Sequence, residues 1–254
     1  MDQELARIEA FCRWVEDETS TKTTTWRFGR ALFHEDFPDF YDHNFLRVER
    51  PVGTATAREL AAEADELLAG FAHREIVVGD ETDGERLAPG FADLGWRTER
   101  LLYQVRRREP DGPAPVAVRE VSIDEAMPFR EETWRRPYGA AAVPLAAFGR
   151  VLAERIGARF FVAEVDGAMA AGCELYQHDG VAQIETVDTL EEYRGRGLAR
   201  SVVLEATEAA LASGADLILI VADDDDWPKQ LYAKLGFDPV GRFWQFTLPP
   251  ASAT

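Results

Sequence analysis

The chain is poor in cysteine, in positive charge and in long apolar runs, and each shortage removes a class of function. Its two cysteines, Cys12 and Cys173, lie far apart and match no metal-ligand or redox spacing. Cys173 falls in a stretch that reads as a strand, which predicts a buried thiol, and a reducing cytoplasm follows. Lysine and arginine together number 28 against 46 aspartates and glutamates, a formal charge of −18. That sign argues against nucleic acid, because gripping a phosphate backbone takes clustered basic side chains. It suits a basic or amine-bearing partner. No apolar run approaches the roughly 20 residues that span a bilayer, so no membrane partner is expected. Near the N-terminus charges alternate with Leu5, Ile8, Phe11, Trp14 and Val15, which is one helical stripe and not a signal peptide. The histidines His34, His43, His73 and His178 show no ligand spacing. Asp223–Asp226 lacks the glycine turn of a calcium loop, so no metal site is expected.

Against these shortages stand 254 residues with 46% hydrophobic content, enough for two domains of roughly 100–150 residues. The break falls at Arg106–Pro115. Its end, Glu109-Pro110-Asp111-Gly112-Pro113-Ala114-Pro115, is too rich in proline and glycine for a helix or a central strand. The expected domains are 1–109 and 116–254, joined by a linker at 110–115.

Beyond the linker the pattern predicts a short strand at Val116–Glu120 and helices over Ser122–Arg136 and Pro144–Ile156. Strands at Arg159–Val165 and Ala168–Gln177 meet at Asp166-Gly167, a hairpin signal. A strand at Val181–Thr189, a helix at Gly197–Ser213 and an apolar strand at Leu217–Val221 follow. A short helix at Trp227–Leu235, capped by Asp226, and a last strand at Gly241–Leu248 complete the order. Hairpin strands followed by β-α-β-α-β predict an α/β mixed sheet with helices on both faces. The first half repeats the end of this pattern. Phe91-Ala92-Asp93-Leu94-Gly95-Trp96 lines up with Tyr232-Ala233-Lys234-Leu235-Gly236-Phe237, and Leu102–Val105 with Phe243–Phe246, which points to an internal duplication.

One segment carries chemistry. Arg194-Gly195-Arg196-Gly197-Leu198-Ala199-Arg200 follows a strand and opens a helix. Glycines allow a tight turn and close approach, and successive amides at a helix start make an anion nest suited to a pyrophosphate. Arg194, Arg196 and Arg200 add positive charge. It is not a P-loop, since no Gly-Lys-Ser/Thr follows, and it lacks the third glycine of a dinucleotide fingerprint.

The stretch Ile184–Arg200 resembles the acetyl-CoA-binding motif of the GNAT N-acetyltransferase superfamily, Gln/Arg-x-x-Gly-x-Gly/Ala. Gln230-Leu231-Tyr232-Ala233-Lys234-Leu235-Gly236-Phe237 is similar to its second motif. The resemblance covers the C-terminal half and implies a GNAT-like fold with acetyl-CoA as co-substrate and a small-molecule amine as acceptor. Position by position, it implies that the backbone of Val187, Asp188 and Thr189 pairs with the pantetheine arm. Gly195–Arg200 then hold the pyrophosphate, and Tyr232 protonates the thiolate. Strand alternation places Gln183, Glu185, Val187 and Thr189 on one face, which makes Glu185 the candidate general base. A half-buried carboxylate paired with an arginine is the competing reading of Glu185. The glutamate of histone-type members is Gln183 here, and an asparagine common in the family is Asp225. Acceptor pockets in such folds draw on the stretch that corresponds to Phe129–Phe148, with Trp134, Arg135, Arg136 and Tyr138. The first half has Arg50-Pro51-Val52-Gly53-Thr54 in place of the glycine turn and Phe91 in place of Tyr232. It resembles the inert repeat of tandem members of the mycothiol synthase type. A non-catalytic acyl-CoA-binding sensor or interaction module is the alternative function.

Overall fold

The computed structural model describes residues 3–250; positions 1–2 and 251–254, at the outer ends of the two expected domains, lie outside that range. Two compact units form, and they interleave along the chain. One takes in residues up to Glu18, Tyr103–Ala222 and Asp226–Val240; the other takes in Thr19–Leu102, Asp223–Asp225 and the chain from Gly241. The chain opens with α1 (Gln3–Thr19), whose Ile8 and Phe11 are buried as the apolar stripe predicts.

In the unit that begins at Thr19, β1 (Lys22–Trp26) and β2 (Gly29–Phe33) form a hairpin, and β3 (Phe45–Val48) pairs with β2. Next come α2 (Ala57–Leu67), β4 (Arg74–Val78), α3 (Glu81–Asp93) and the first part of β5 (Arg97–Arg106). Thr56 and Glu59 close a capping box on α2, which satisfies two of its orphan N–H groups. Phe91 is fully buried and stacks on Phe246 with ring centres 4.3 Å apart. Trp244 lies so close on α3 that a Cβ at Gly84 would stand 2.0 Å from its ring, so only glycine fits there.

In the unit that holds the glycine turn, β6 (Val118–Val121), α4 (Ile123–Tyr138), α5 (Ala142–Ala146) and α6 (Phe148–Ile156) come first. Ser122 and Glu125 form the predicted capping box on α4. The helix expected over Pro144–Ile156 is instead two, parted at Ala147. Strands β7 (Arg159–Val165) and β8 (Ala168–His178) meet at Asp166 and Gly167, which take φ of +52° and +81°. That is the left-handed pair a tight hairpin needs. Then follow β9 (Val181–Thr189), α7 (Leu198–Ala212), β10 (Leu217–Asp223), α8 (Pro228–Lys234) and the first part of β11 (Phe237–Leu248). Neighbouring strands from β6 to β9 pair antiparallel and β9 pairs parallel with β10, so the sheet is mixed, as expected.

Leu198, Val202, Val203, Ala206 and Ala210 of α7 pack on Ile184, Ile218 and Ile220. Burying one such Val or Leu fully is worth roughly 1.5–3 kcal/mol, which fixes the helix start relative to the strand before it. Asp226 does not cap α8; its carboxylate accepts from the adjacent Trp227 N at 2.7 Å, and no side chain caps that helix. Both α3 and α8 run through a glycine with positive φ, Gly95 and Gly236, into a strand, so the two aligned segments share a local fold. Among the described residues no helix is long and apolar enough to cross a membrane, and no group of acidic, cysteine and histidine side chains has metal-holding geometry.

Candidate active site

The site begins where two strands part. The parallel ladder of β9 and β10 runs from Val181↔Leu217 to Ile184↔Ile220 and stops, although β9 continues to Thr189 and β10 to Asp223. Past Ile184 the β10-facing edge of β9 offers backbone groups that the ladder leaves unused.

At the same place β9 carries a bulge. Glu185 lies opposite Glu174, but Asp188 lies opposite Gly172, so one extra residue sits on β9. Thr186 takes φ +50°, a conformation rare for a β-branched residue. This corrects the expected alternation. Asp188 joins Gln183 and Glu185 on one face, while Thr189 turns to the other face with Ile184. Val187 packs against the cluster that holds Cys173 and Leu198. A period of two cannot survive an inserted residue.

Beyond Thr189 a 3-10 turn at Glu191–Tyr193 leads into the glycine segment. Gly195 and Gly197 take φ of +74° and +78°. Nothing lies within 4 Å of a Cβ built at Gly195, whereas one at Gly197 would meet Pro115 Cγ at 2.7 Å. Gly197 is the N-cap of α7 and no side chain caps the helix, so its first N–H groups and its positive dipole end stay available. The three arginines divide. Arg194 donates to Thr189 O at 3.3 Å, and Arg196 lies 5.3 Å over the Tyr193 ring; both are exposed. Arg200 turns to the linker, donating to Asp111 Oδ1 at 2.5 Å, to Pro113 O at 3.0 Å and to Gly112 O. Its role is to hold that segment against the helix.

Residues 123–237 match the model of the Acetyltransferase (GNAT) family. The chain carries a GNAT acetyltransferase domain. The matched stretch runs from the first residue of α4 to the first of β11 and contains the parted strands, the glycine turn and Tyr232. Solved structures of similar shape include a GCN5-related N-acetyltransferase from Kribbella flavida, at TM-score 0.64 and 19% identity, covering 97% of this chain and 96% of that one. A conserved protein of unknown function from Staphylococcus epidermidis gives TM-score 0.66 at 16% identity, covering 91% and 95%. A tandem GNAT protein from the clavulanic acid biosynthesis pathway gives 0.53 at 19%, covering 82% and 76%. At these identities the likeness establishes the fold. No curated protein matches the chain.

Within the GNAT domain Tyr232 is buried beside Cys173 and Leu198. Burial, and then the charge of Glu185, raise its phenol above the ordinary value, so it stays protonated at neutral pH. Cys173 is a buried thiol, as expected; it is in no disulfide, and its Sγ lies 3.4 Å from Val202 O. Glu185 is half-buried and accepts from Gln183 Nε2 and, at 3.3 Å, from its neighbour Thr186 N.

A small recess lies between α4 and the same face of β8 and β9. Ala126, Phe129, Arg130 and Thr133 line it from the helix, and Phe160, Glu174 and Asp188 from the strands. Arg130 and Glu174 form a buried ion pair, 4% and 2% exposed, and Tyr176 donates its hydroxyl to the other oxygen of Glu174. Burial raises the Asp188 carboxyl above the usual range; a hydrogen bond from Trp134 and the charges of Arg130 and Arg194 oppose that rise. Sequence reasoning named Trp134 but missed Arg130, Thr133, Glu174 and the Asp188 side chain. The helical spacing of 126, 129, 130 and 133 was a signal for the α4 side of the recess. Asp188 was hidden by the bulge.

Proposed function

We propose that the chain is an acetyl-CoA-dependent N-acetyltransferase that acylates a primary amine by direct attack in a ternary complex. The observation that carries this reading is the parting of β9 and β10 immediately before a glycine turn and an uncapped helix start. A pantetheine arm is a chain with two amides, and the idle backbone of Val187, Asp188 and Thr189 is its natural partner. A pyrophosphate suits the amides of Gly195–Arg200, with Gly195 open to it and Arg194 and Arg196 beside it. The acyl-CoA supplies the thioester that the amine attacks. Tyr232 holds the proton that the departing sulfur needs, and its raised pKa keeps it protonated at neutral pH, ready to donate. Glu185, on the Asp188 face of the bulge, is the base expected from the sequence.

In this reading the first half is a second, degenerate GNAT-like copy. Phe91 stands where Tyr232 stands in the second copy, and a ring packed on Phe246 has no proton to give. The enzyme resides in the cytoplasm.

The test is release of coenzyme A thiol from acetyl-CoA in the presence of small primary amines. Amine-dependent release supports the transferase. Tight acetyl-CoA binding with no release against any amine indicates the sensor instead.

A further inference from the structure

The charges in the recess do not balance. Arg130 and Glu174 cancel within their buried pair. Asp188 feels the charges of Arg130 and Arg194 and takes a hydrogen bond from the Trp134 indole, yet with Glu174 and Glu185 on the same face the carboxylates still outnumber the two arginines. That excess of partly buried carboxylate keeps a field that attracts a cation, and low local polarity strengthens it. The walls agree with that guest. Phe129 and Phe160 are aromatic, Phe160 already taking the Arg130 guanidinium 5.7 Å over its ring, and the floor at Gly172 has room for no side chain, since a Cβ there would meet Phe129 Cε1 at 2.8 Å. Aromatic faces favour a cation and suit a short alkyl stem. The bulge gives Asp188 a second property: its side chain faces the recess while its backbone stands on the stretch of β9 that β10 has left.

We propose that Asp188 is the anchor and proton acceptor for the acceptor ammonium, and that the acceptor is a small aliphatic primary amine. This rests on the N-acetyltransferase reading. The ammonium donates to the Asp188 carboxylate and passes it one proton, leaving a neutral amine with a lone pair. That pair forms the N–C bond to the acyl carbon, and the C–S bond breaks with its electrons going to sulfur. Tyr232 gives the sulfur its phenolic proton. The amide nitrogen sheds its extra proton to the tyrosinate, and Asp188 returns its own to solvent, so one proton is released per turnover. Burial acts in the useful direction here, since a raised carboxyl is a better base than an ordinary aspartate. Glu185, already accepting from Gln183 and Thr186 N, then serves to hold the bulge.

The experiment is nuclear magnetic resonance of the full-length, 15N-labelled protein, reading the Trp134 indole N–H that bonds Asp188. Ethylammonium chloride is titrated against ethanol and sodium propionate. The expected result is a saturable shift with ethylammonium and none with the other two. In Asp188→Asn the response should weaken at least about tenfold while acetyl-CoA binding by calorimetry stays unchanged, because a neutral amide keeps the shape and loses the charge. With a productive amine, Asp188→Asn should lower kcat by about a hundredfold or more, the range of a lost general base, and also raise KM. An equal response to ethanol in the wild type overturns the proposal, and that arm needs no variant to fold. An unchanged ethylammonium response in folded Asp188→Asn overturns it too. Failure of the wild type to bind acetyl-CoA sinks the transferase reading and is scored separately.

Discussion

Asp188 stands opposite Gly172 although Glu185 stands opposite Glu174, so β9 takes three steps where β8 takes two. The extra residue turns a carboxylate into the recess and Thr189 out of it. It falls where β9 and β10 separate, so one local irregularity shapes both the acceptor side and the cofactor side.

Thr186 bears the conformational cost of this arrangement at φ +50°. Replacing it by glycine relieves roughly 1–2 kcal/mol of left-handed strain and loses roughly 0.5–1 kcal/mol to chain entropy. Thr186→Gly is therefore expected to melt within a few degrees of the wild type and to keep the bulge. Deleting Thr186 removes the extra residue and leaves Asp188 two steps from Glu185, still opposite Gly172, so the Asp188 face and turnover should be retained. Melting curves and coenzyme A release check both.

Tyr232→Phe keeps the packing and removes the proton. The account predicts a fall in kcat of about 10²–10⁴-fold with little change in acetyl-CoA affinity. Because burial raises the phenol above its ordinary value, the wild-type kcat should show no descending limb near pH 10 from this group. A pH–rate profile that falls there contradicts the assignment.

Removing one member of the Arg130–Glu174 pair strands the other charge in the interior. Arg130→Met should cost roughly 3–5 kcal/mol, and Arg130→Met with Glu174→Leu much less than twice that. Urea unfolding of the three proteins supplies the comparison, and additive losses would show that the pair is not coupled.

In the other unit, Glu75 is 1% exposed and takes a hydrogen bond from Thr247 Oγ1 at 3.1 Å. Burial, with the charge of Asp42 added, pushes its pKa up to about 8. An acid with a folded value above its unfolded one binds more protons when native, so stability falls as pH rises from about 4.5 towards 8. Glu75→Gln is expected to flatten that dependence and to raise the melting temperature at pH 9, as differential scanning calorimetry would show.

Much of the fold was legible because its signals are local. Asp166-Gly167 forces a tight hairpin, Ser122 and Glu125 cap a helix, and Gly236 ends one. The glycine turn was legible for the same reason, since only glycine takes φ near +75° without strain. What stayed hidden depends on distant partners. No local rule places α1 with residues 103–240, or splits the helix at Ala147. Thr186 runs against its own propensity, and such conflicts concentrate at functional sites, so the pattern that located β9 misassigned the faces beyond Glu185. Arg200 looked like part of the anion nest, but Asp111, Gly112 and Pro113 lie within its reach.

The central claim is that the turn at Gly195–Arg200 holds the pyrophosphate of acetyl-CoA. Gly195 is the position to perturb, because a side chain there meets no protein atom within 4 Å, whereas Gly197 is closed by Pro115. Calorimetric titration of acetyl-CoA into wild type, Gly195→Ala and Gly195→Glu separates backbone strain from charge. The account predicts binding by wild type, modest weakening in Gly195→Ala and loss in folded Gly195→Glu. Wild-type affinity in folded Gly195→Glu, or no binding by the wild type, contradicts it.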